Sequence, residues 1–327
     1  MKYSREVFEK AERELTERRI AAEAEQSRRN AEIISIAPEV ELLQNKIKSA
    51  GLELMKIIMS KDKDSAAKIE QLKENNLVAQ RTIRELLKEI KGDEHYLDVH
   101  YSCTLCGDTG YVEGRRCRCM DELLKKISSE ELNKNCLIEL HDFDEFRLDY
   151  YDKELVSGIS PYEKMSKNLS FCKSYAEDFT DKSPSLFFFG KTGLGKTFLS
   201  SCIAKTLLEK QVNVVFGSIL DLLRKIENEH FGREEGNTLD TIINADLVIL
   251  DDLGSEFQTS FTEAALYDII NSRINLCKPT IVSTNLSQSE LSSKYNERII
   301  SRLTGCFMPI GFIGKDIRHR KVAGYNN

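Results

Sequence analysis

Long apolar runs are missing from these 327 residues: no stretch of eighteen occurs, and the chain opens on MKYSREVFEKAERELTERR, charged from its first turn. That excludes a membrane-spanning helix and a secretory leader, so a cytoplasmic location without a membrane partner is expected. A surplus of positive charge is missing too. With a net charge of −6 the surface cannot grip nucleic acid everywhere, and any DNA contact must be local, through an arginine or lysine patch. Turn formers are scarce at the front: before Gly92 there is one proline, Pro38, and one glycine, Gly51. Loops are thereby excluded over most of that segment, and its Glu, Lys, Arg, Ala, Leu and Ile content reads as long helices.

Pro38 is expected to begin a second helix, and KDKDS at 61–65 to turn into a third. In that third helix Ile69, Leu72, Asn76, Ala79, Ile83, Leu86 and Ile90 follow a 3-4-3-4 spacing and form a coiled-coil-like seam. The seam is expected to pack on the first two helices of the same chain, leaving much helical surface for another protein. Beyond Pro161 the pattern changes. Short apolar runs at Leu186–Phe189, Val212–Phe216, Leu247–Leu250, Thr280–Thr284 and Phe307–Phe312 alternate with helical stretches, which predicts an α/β fold with a parallel sheet covered by helices. Four segments follow: a helical partner-binding region at 1–98, a metal-binding loop at 99–122, a helical connector and linker at 123–160, and a nucleotide-binding domain at 161–327.

Four of the nine cysteines lie in SCTLCGDTGYVEGRRCRCM, residues 102–120. Cys103 and Cys106 form a C-x-x-C pair, and Cys117 and Cys119 a C-x-C pair after a ten-residue gap. Two such pairs can bring four thiolates to the corners of a tetrahedron, as closed structural Zn²⁺ sites require. The metal would replace a core that so short a loop cannot build. Open alternatives are a histidine (His95, His100 or His141) in place of one thiolate, a redox C-x-x-C pair, and unligated thiols. The other five cysteines are scattered singly and read as small apolar residues.

Gly190, Lys191, Thr192, Gly193, Leu194, Gly195, Lys196 and Thr197 match G-x-x-x-x-G-K-[ST], between an apolar run and a helical stretch that opens at Phe198. Backbone N–H groups and the helix N-terminus would wrap the phosphates of ATP, Lys196 would neutralise β and γ charge, and the Thr197 hydroxyl would ligate Mg²⁺. LVILDDLG supplies the acids: Asp251 would hold magnesium through water and Asp252 would polarise the attacking water. TIVSTN ends at Thr284 and Asn285, where a polar side chain at the strand tip could orient that water, and NERIISRL sets Arg298 and Arg302 four residues apart on one helix face. Such an arginine can serve the active site of a neighbouring subunit.

With these motifs in order, the chain from about residue 140 resembles the bacterial helicase loaders of the DnaC and DnaI type, within the AAA+ ATPases. GKTGLGKTFLS, LVILDDLGSE, STN, and ERIISRL followed by GKDIRHR are similar to that family's Walker A, Walker B, sensor 1, arginine-finger box and sensor 2. The resemblance implies that Arg302 is the arginine finger, Arg298 its companion and Arg318 the sensor 2 residue. It implies that YSCTLCGDTGYV belongs to a zinc element, and that the helical and zinc regions bind a DnaB-type replicative helicase hexamer, with self-association on that ring. It further implies ATP and single-stranded DNA as ligands of the ATPase domain, with Arg224, Lys225, His230, Phe231 and Arg233 as DNA contacts and Phe143, Phe146 and Tyr150 near the adenine. Asp252 stands where many AAA+ proteins carry glutamate, which points to slow hydrolysis. Two rival readings are an IstB-like transposition helper acting on duplex DNA with a transposase, and a non-catalytic adaptor locked by nucleotide.

Overall fold

The structure, a computed structural model, describes residues 3–60, 64–135, 138–155 and 158–318. It falls into two compact units, each described here by itself: Glu12–Met120, and Met1–Ala11 with Asp121–Asn327.

In the first unit, three helices account for most residues: α1 (Arg5–Ile36, from residue 12 on), α2 (Glu39–Ser60) and α3 (Ser65–Lys91). Pro38 stands one residue before α2, as its lack of an N–H donor favours. Residues 61–63 of the expected turn lie outside the described residues; Ser65 opens α3. All seven seam positions are buried or half-buried, and most other α3 positions are exposed; Leu87, outside the seam, is buried beside Ile83, Leu86 and Ile90. The partner of the seam is in the same chain: Leu87, Ile83, Leu86 and Ile90 pack on Ile33, Ala37 and Val40. The buried Arg29 ties the segment after α3 to α1, donating to the carbonyls of Tyr96 at 2.7 Å and Asp98 at 3.1 Å. The cysteine loop closes the unit, around the two-residue strands β1 (Tyr111–Val112) and β2 (Arg115–Arg116).

In the second unit a five-stranded parallel sheet has the order β4-β5-β6-β3-β7: β3 (Leu186–Phe189), β4 (Val214–Ser218), β5 (Leu247–Leu253), β6 (Thr280–Thr284) and β7 (Met308–Gly311). Helices cover both faces, so strand residues alternate between two apolar layers and read as unbroken hydrophobic runs. Leu186, Phe188, Val214, Phe216, Leu247, Ile249 and Ile281 face one layer with α5 (Pro161–Glu177) and α6 (Lys196–Glu209). Phe187, Val215, Val248, Leu250 and Val282 face the other, with α7 (Ile219–His230), α8 (Thr238–Asn244), α9 (Ser260–Asn275), α10 (Gln288–Lys294) and α11 (Glu297–Cys306).

Three of the five runs differ from expectation in their bounds; β4 ends two residues later, at Ser218, and β7 is one residue shorter at each end than Phe307–Phe312. β4 starts two residues late because Val212 still closes the end of α6, its N–H donating to Leu207 O at 3.0 Å. β5 runs on through the acid pair, with its register against β6 broken between Leu250 and Leu253. The outer edge of β4 is not left open. The Asn133 side chain on α4 (Arg118–Asn135) donates to Val214 O at 2.7 Å and accepts from Phe216 N at 2.9 Å, which occupies the edge as a paired strand would.

Candidate nucleotide and metal sites

The loop between β3 and α6 is held open from behind. Gly190 has φ +145 and a Cβ there would lie 2.3 Å from the Phe312 carbonyl oxygen; at Gly195, φ +89, it would lie 2.9 Å from the Tyr151 hydroxyl. Both positions need glycine for space and for backbone angle. Tyr151 is buried and donates to Leu194 O at 3.0 Å, which fastens the aromatic linker to the loop. In front of the loop lies a cavity of about 730 Å³.

The side chains expected at this site converge. Lys196 Nζ donates to Gly190 O (2.7 Å), Lys191 O (2.8 Å) and Asn285 Oδ1 (2.6 Å). All three of its protons meet neutral acceptors, and burial outweighs the attraction of Asp251 and Asp252, pulling its pKa down to about 8. Thr197 Oγ1 donates to Asp251 Oδ2 at 2.8 Å, and the Ser283 hydroxyl donates to Asp251 Oδ1. Burial pushes the Asp251 carboxyl up, against those two hydrogen bonds. Asp252 adopts φ +59, a left-handed conformation that Asp tolerates better than most residues. Its N–H donates to Ser283 Oγ at 2.9 Å and its Oδ1 accepts from Asn285 Nδ2. Asn285 therefore bridges the P-loop lysine and the second acid. Arg318 lines the same cavity, on a turn where its N–H donates to Asp316 Oδ1 at 2.9 Å and Ile317 N donates to Gly193 O at 3.0 Å.

Arg302 is not among the residues lining this cavity. Its guanidinium stacks 4.6 Å from the Tyr267 ring centroid and donates to Asn271 Oδ1 at 2.8 and 3.0 Å, with Arg298 exposed on the same helix. Of the three aromatics expected near the base, Tyr150 lines the cavity, while Phe143 and Phe146 do not. Phe146 is buried behind Gly195. The sequence reading missed Ile138, Glu139 and Ile317 in the lining, and saw His141 only as a metal ligand. His141 instead stacks on Phe198 at 4.4 Å with rings 9° from parallel, beside the cavity. Its place at the head of HDFDEF, an aromatic-rich stretch just before the sheet domain, was the available signal.

In the first unit the Sγ atoms of Cys103, Cys106, Cys117 and Cys119 lie within 4.8 Å of one another, the one such group of ligand atoms among the described residues. Cys103–Cys117 is 3.7 Å and Cys106–Cys119 3.4 Å. A tetrahedral Zn²⁺ with about 2.3 Å bonds to sulfur sets sulfurs about 3.8 Å apart, so the quartet fits the ion. The loop is preorganised for it: the buried Asp108 carboxylate accepts from Ser102 N and Cys103 N, both at 2.8 Å, and Gly110 N donates to Cys106 Sγ at 3.4 Å. Burial opposes ionisation of Cys106, but Gly110 N–H and the neighbouring thiols bring its pKa down to about 7. Among the described residues no histidine joins the group: His95 pairs with Asp98 at 2.8 Å.

A parallel sheet whose P-loop strand is separated from the acid-bearing strand by the strand that leads into Asn285 has the arrangement of a P-loop nucleotide-binding domain. Residues 163–303 match the family described as IstB-like ATP binding protein. Over a longer span the chain is similar to the replicative helicase loader DnaI of Bacillus subtilis (strain 168), 25% identical over 302 residues that cover 82% of this chain and 93% of that protein. The replicative helicase loader DnaC of Escherichia coli (strain K12) is 26% identical over 137 residues, 41% of this chain and 56% of that protein. Among solved structures, a DnaC helicase loader aligns with TM-score 0.44 at 24% identity, covering 52% of this chain and 98% of that one. AMPPCP-bound DnaA from Aquifex aeolicus aligns with TM-score 0.44 at 18% identity, covering 52% of this chain and 53% of that one.

Proposed function

We propose that this protein is an ATP-dependent loader of a DnaB-type replicative helicase onto single-stranded DNA. The observation that carries the reading is the single polar network joining Lys196, Asn285 and Asp252 beside the Thr197–Asp251 pair, on one cavity. In this reading ATP lies with its phosphates on the N-terminus of α6, and Lys196 leaves its backbone acceptors for the β and γ oxygens. Thr197 and Asp251 hold Mg²⁺, which supplies charge neutralisation on the phosphates. Asp252 accepts the proton of the attacking water while Asn285 orients it. Arg302 acts on the nucleotide of a neighbouring copy, leaving its Tyr267–Asn271 cradle.

The loader assignment is supported by the DnaI likeness, since any contiguous 82% of the chain includes residues 103–119. Cys103, Cys106, Cys117 and Cys119 hold a structural Zn²⁺ that fixes the loop beside the partner-binding helices. α2 leaves Leu52, Met55, Ile58 and Met59 exposed, apolar surface suited to a helicase subunit. For single-stranded DNA the candidates are the exposed Arg224, His230, Phe231 and Arg233 with the half-buried Lys225; Phe231 is 57% exposed and lies under the Arg233 guanidinium at 5.6 Å.

The IstB-like match over 163–303 favours a second reading, a transposition helper on duplex DNA. The test is co-purification of the full-length protein with the replicative helicase of its own organism, with ATP and magnesium, beside the Cys103→Ser variant. A complex that the variant loses supports the loader. No complex, together with ATP-dependent assembly on duplex DNA, overturns it in favour of the transposition helper.

A further inference from the structure

The strand that carries the acid pair does not end in a free loop. Gly254 N donates to Glu256 Oε2 at 2.9 Å, and Glu256 Oε1 accepts from the Tyr295 hydroxyl. Lys294 Nζ donates to the carbonyls of Gly254 and, at 2.9 Å, of Glu256, and stands 3.6 Å from the Glu256 carboxylate. That side chain is 4% exposed. Among the described residues of this unit, Glu256 and Asp251 are the buried acids. A carboxylate this deep is strongly disfavoured unless donors surround it, and three groups do so here. Such an arrangement is far more than a turn needs to reverse direction.

What it fixes is the backbone beside Asp252. Asp252 sits on the β5 irregularity with φ +59, and Gly254 follows with φ +111. A strained conformation persists only where its surroundings over-determine it. On the sheet side Ser283 and Asn285 hold Asp252. On the loop side Ser255 N donates to Asp252 O at 3.1 Å, and Glu256 holds Gly254. The other end of the cluster, Tyr295, directly precedes Asn296, whose side chain caps α11 by accepting from Ile299 N at 3.0 Å. Glu256 thus lies between the acid pair and the helix that carries Arg298 and Arg302.

We infer that Glu256, held by Tyr295 and Lys294, is a positioning residue that keeps the Asp252 carboxylate presented to the nucleotide cavity. The inference rests on the hydrolysis reading above. It touches no nucleotide-binding group: Lys196, Thr197 and Asp251 have other partners. Loss of Glu256 should therefore act on turnover and not on binding.

The test uses the full-length protein and its Glu256→Ala, Glu256→Gln and Tyr295→Phe variants, with ATPase rates and fluorescent ATP binding. Misplacing a reacting group by about 1 Å lowers rates by roughly 100-fold, so Glu256→Ala should lower kcat at least about tenfold with KM and Kd within about twofold. Glu256→Gln keeps an oxygen for Gly254 N and lets the Tyr295 hydroxyl turn acceptor, so it should stay within about threefold of the parent. Tyr295→Phe should fall between them. A merely structural role would lower the melting temperature and weaken binding together, with kcat per folded molecule unchanged, and that result overturns the inference. Hydrogen exchange of the Leu253–Ser255 amides with AMPPCP bound reads the same geometry without turnover. Faster exchange in Glu256→Ala supports the assignment and unchanged exchange overturns it, whereas a parent protein without any ATPase activity overturns the hydrolysis reading alone.

Discussion

ATP affinity should fall as pH rises through about 8, because one ammonium group carries the dependence. Lys196 is 5% exposed and its three hydrogen-bond acceptors are all uncharged, so burial pulls its pKa to about 8. A bound triphosphate favours the ammonium form, so the bound-state pKa is higher and binding above pH 8 takes up a proton. The protonated fraction of the empty site is about 0.9 at pH 7 and about 0.1 at pH 9, so affinity should weaken about tenfold between them. The terminal phosphate titrates near about 6, below this window. For the empty protein the sign is reversed. Between about 8 and about 10.4 the unfolded chain binds more protons at this lysine than the folded one, so stability contributed by Lys196 rises with pH there. Calorimetric titration with ATP and magnesium at pH 7, 8 and 9, in two buffers of different ionisation enthalpy, measures both affinity and proton uptake. A flat affinity with no uptake would refute the reasoning, as would an unchanged slope in Lys196→Ala.

Asp252→Asn should bind ATP within about threefold of the parent while turnover falls at least about 100-fold; surviving turnover in a steady-state ATPase assay would remove Asp252 as the base. The full-length protein should carry about one zinc per chain by elemental analysis, and Cys103→Ser or Cys117→Ser should lose it while ATP binding persists; an unchanged zinc content would defeat the four-thiolate site. Arg273 is wholly buried on α9, with its guanidinium donating to Ile242 O, Ile243 O, Ala245 O, Pro279 O and Thr280 Oγ1. Arg273→Met should leave those acceptors unpaired and destabilise by roughly 3–5 kcal/mol. The melting temperature should then drop by roughly 6–20 °C, and a change under about 2 °C in a thermal scan would contradict the burial argument.

What the sequence made legible was local. The runs at Leu186–Phe189 and Thr280–Thr284 coincide with β3 and β6: Leu186–Phe188, Ile281 and Val282 supply the apolar residues that a strand covered on both faces favours, while Thr280, Ser283 and Thr284 are buried with their hydroxyls hydrogen-bonded. The α3 seam was readable because helical period fixes which residues share a face. The cysteine quartet was readable because its ligands lie within one short loop, where spacing constrains geometry. The place of His141, open in the sequence only as an alternative metal ligand, was not readable for the converse reason: stacking on Phe198 depends on how the linker crosses α6, which no local pattern encodes.

Buried polar groups mark the limit most sharply. Glu256, Arg273 and Tyr295 sit in stretches whose composition would suit solvated turns or helix surfaces, and each is buried with its polar atoms satisfied. Their partners come from 39 residues away for Glu256 and up to 31 for Arg273, so the satisfaction that makes burial tolerable exists only in the folded chain. The same holds for the strain at Asp252. An aspartate after four apolar residues can be read as a strand-end acid, but its left-handed backbone follows from Ser283, Asn285 and Glu256 closing around it. Sequence motifs therefore identify which atoms do the chemistry, but not which groups aim them: Glu256 closes the LVILDDLGSE stretch without marking itself as a positioning group, and its partners Lys294 and Tyr295 lie outside every motif. A variant screen confined to Lys196, Asp251 and Asp252 would miss Glu256 and Tyr295.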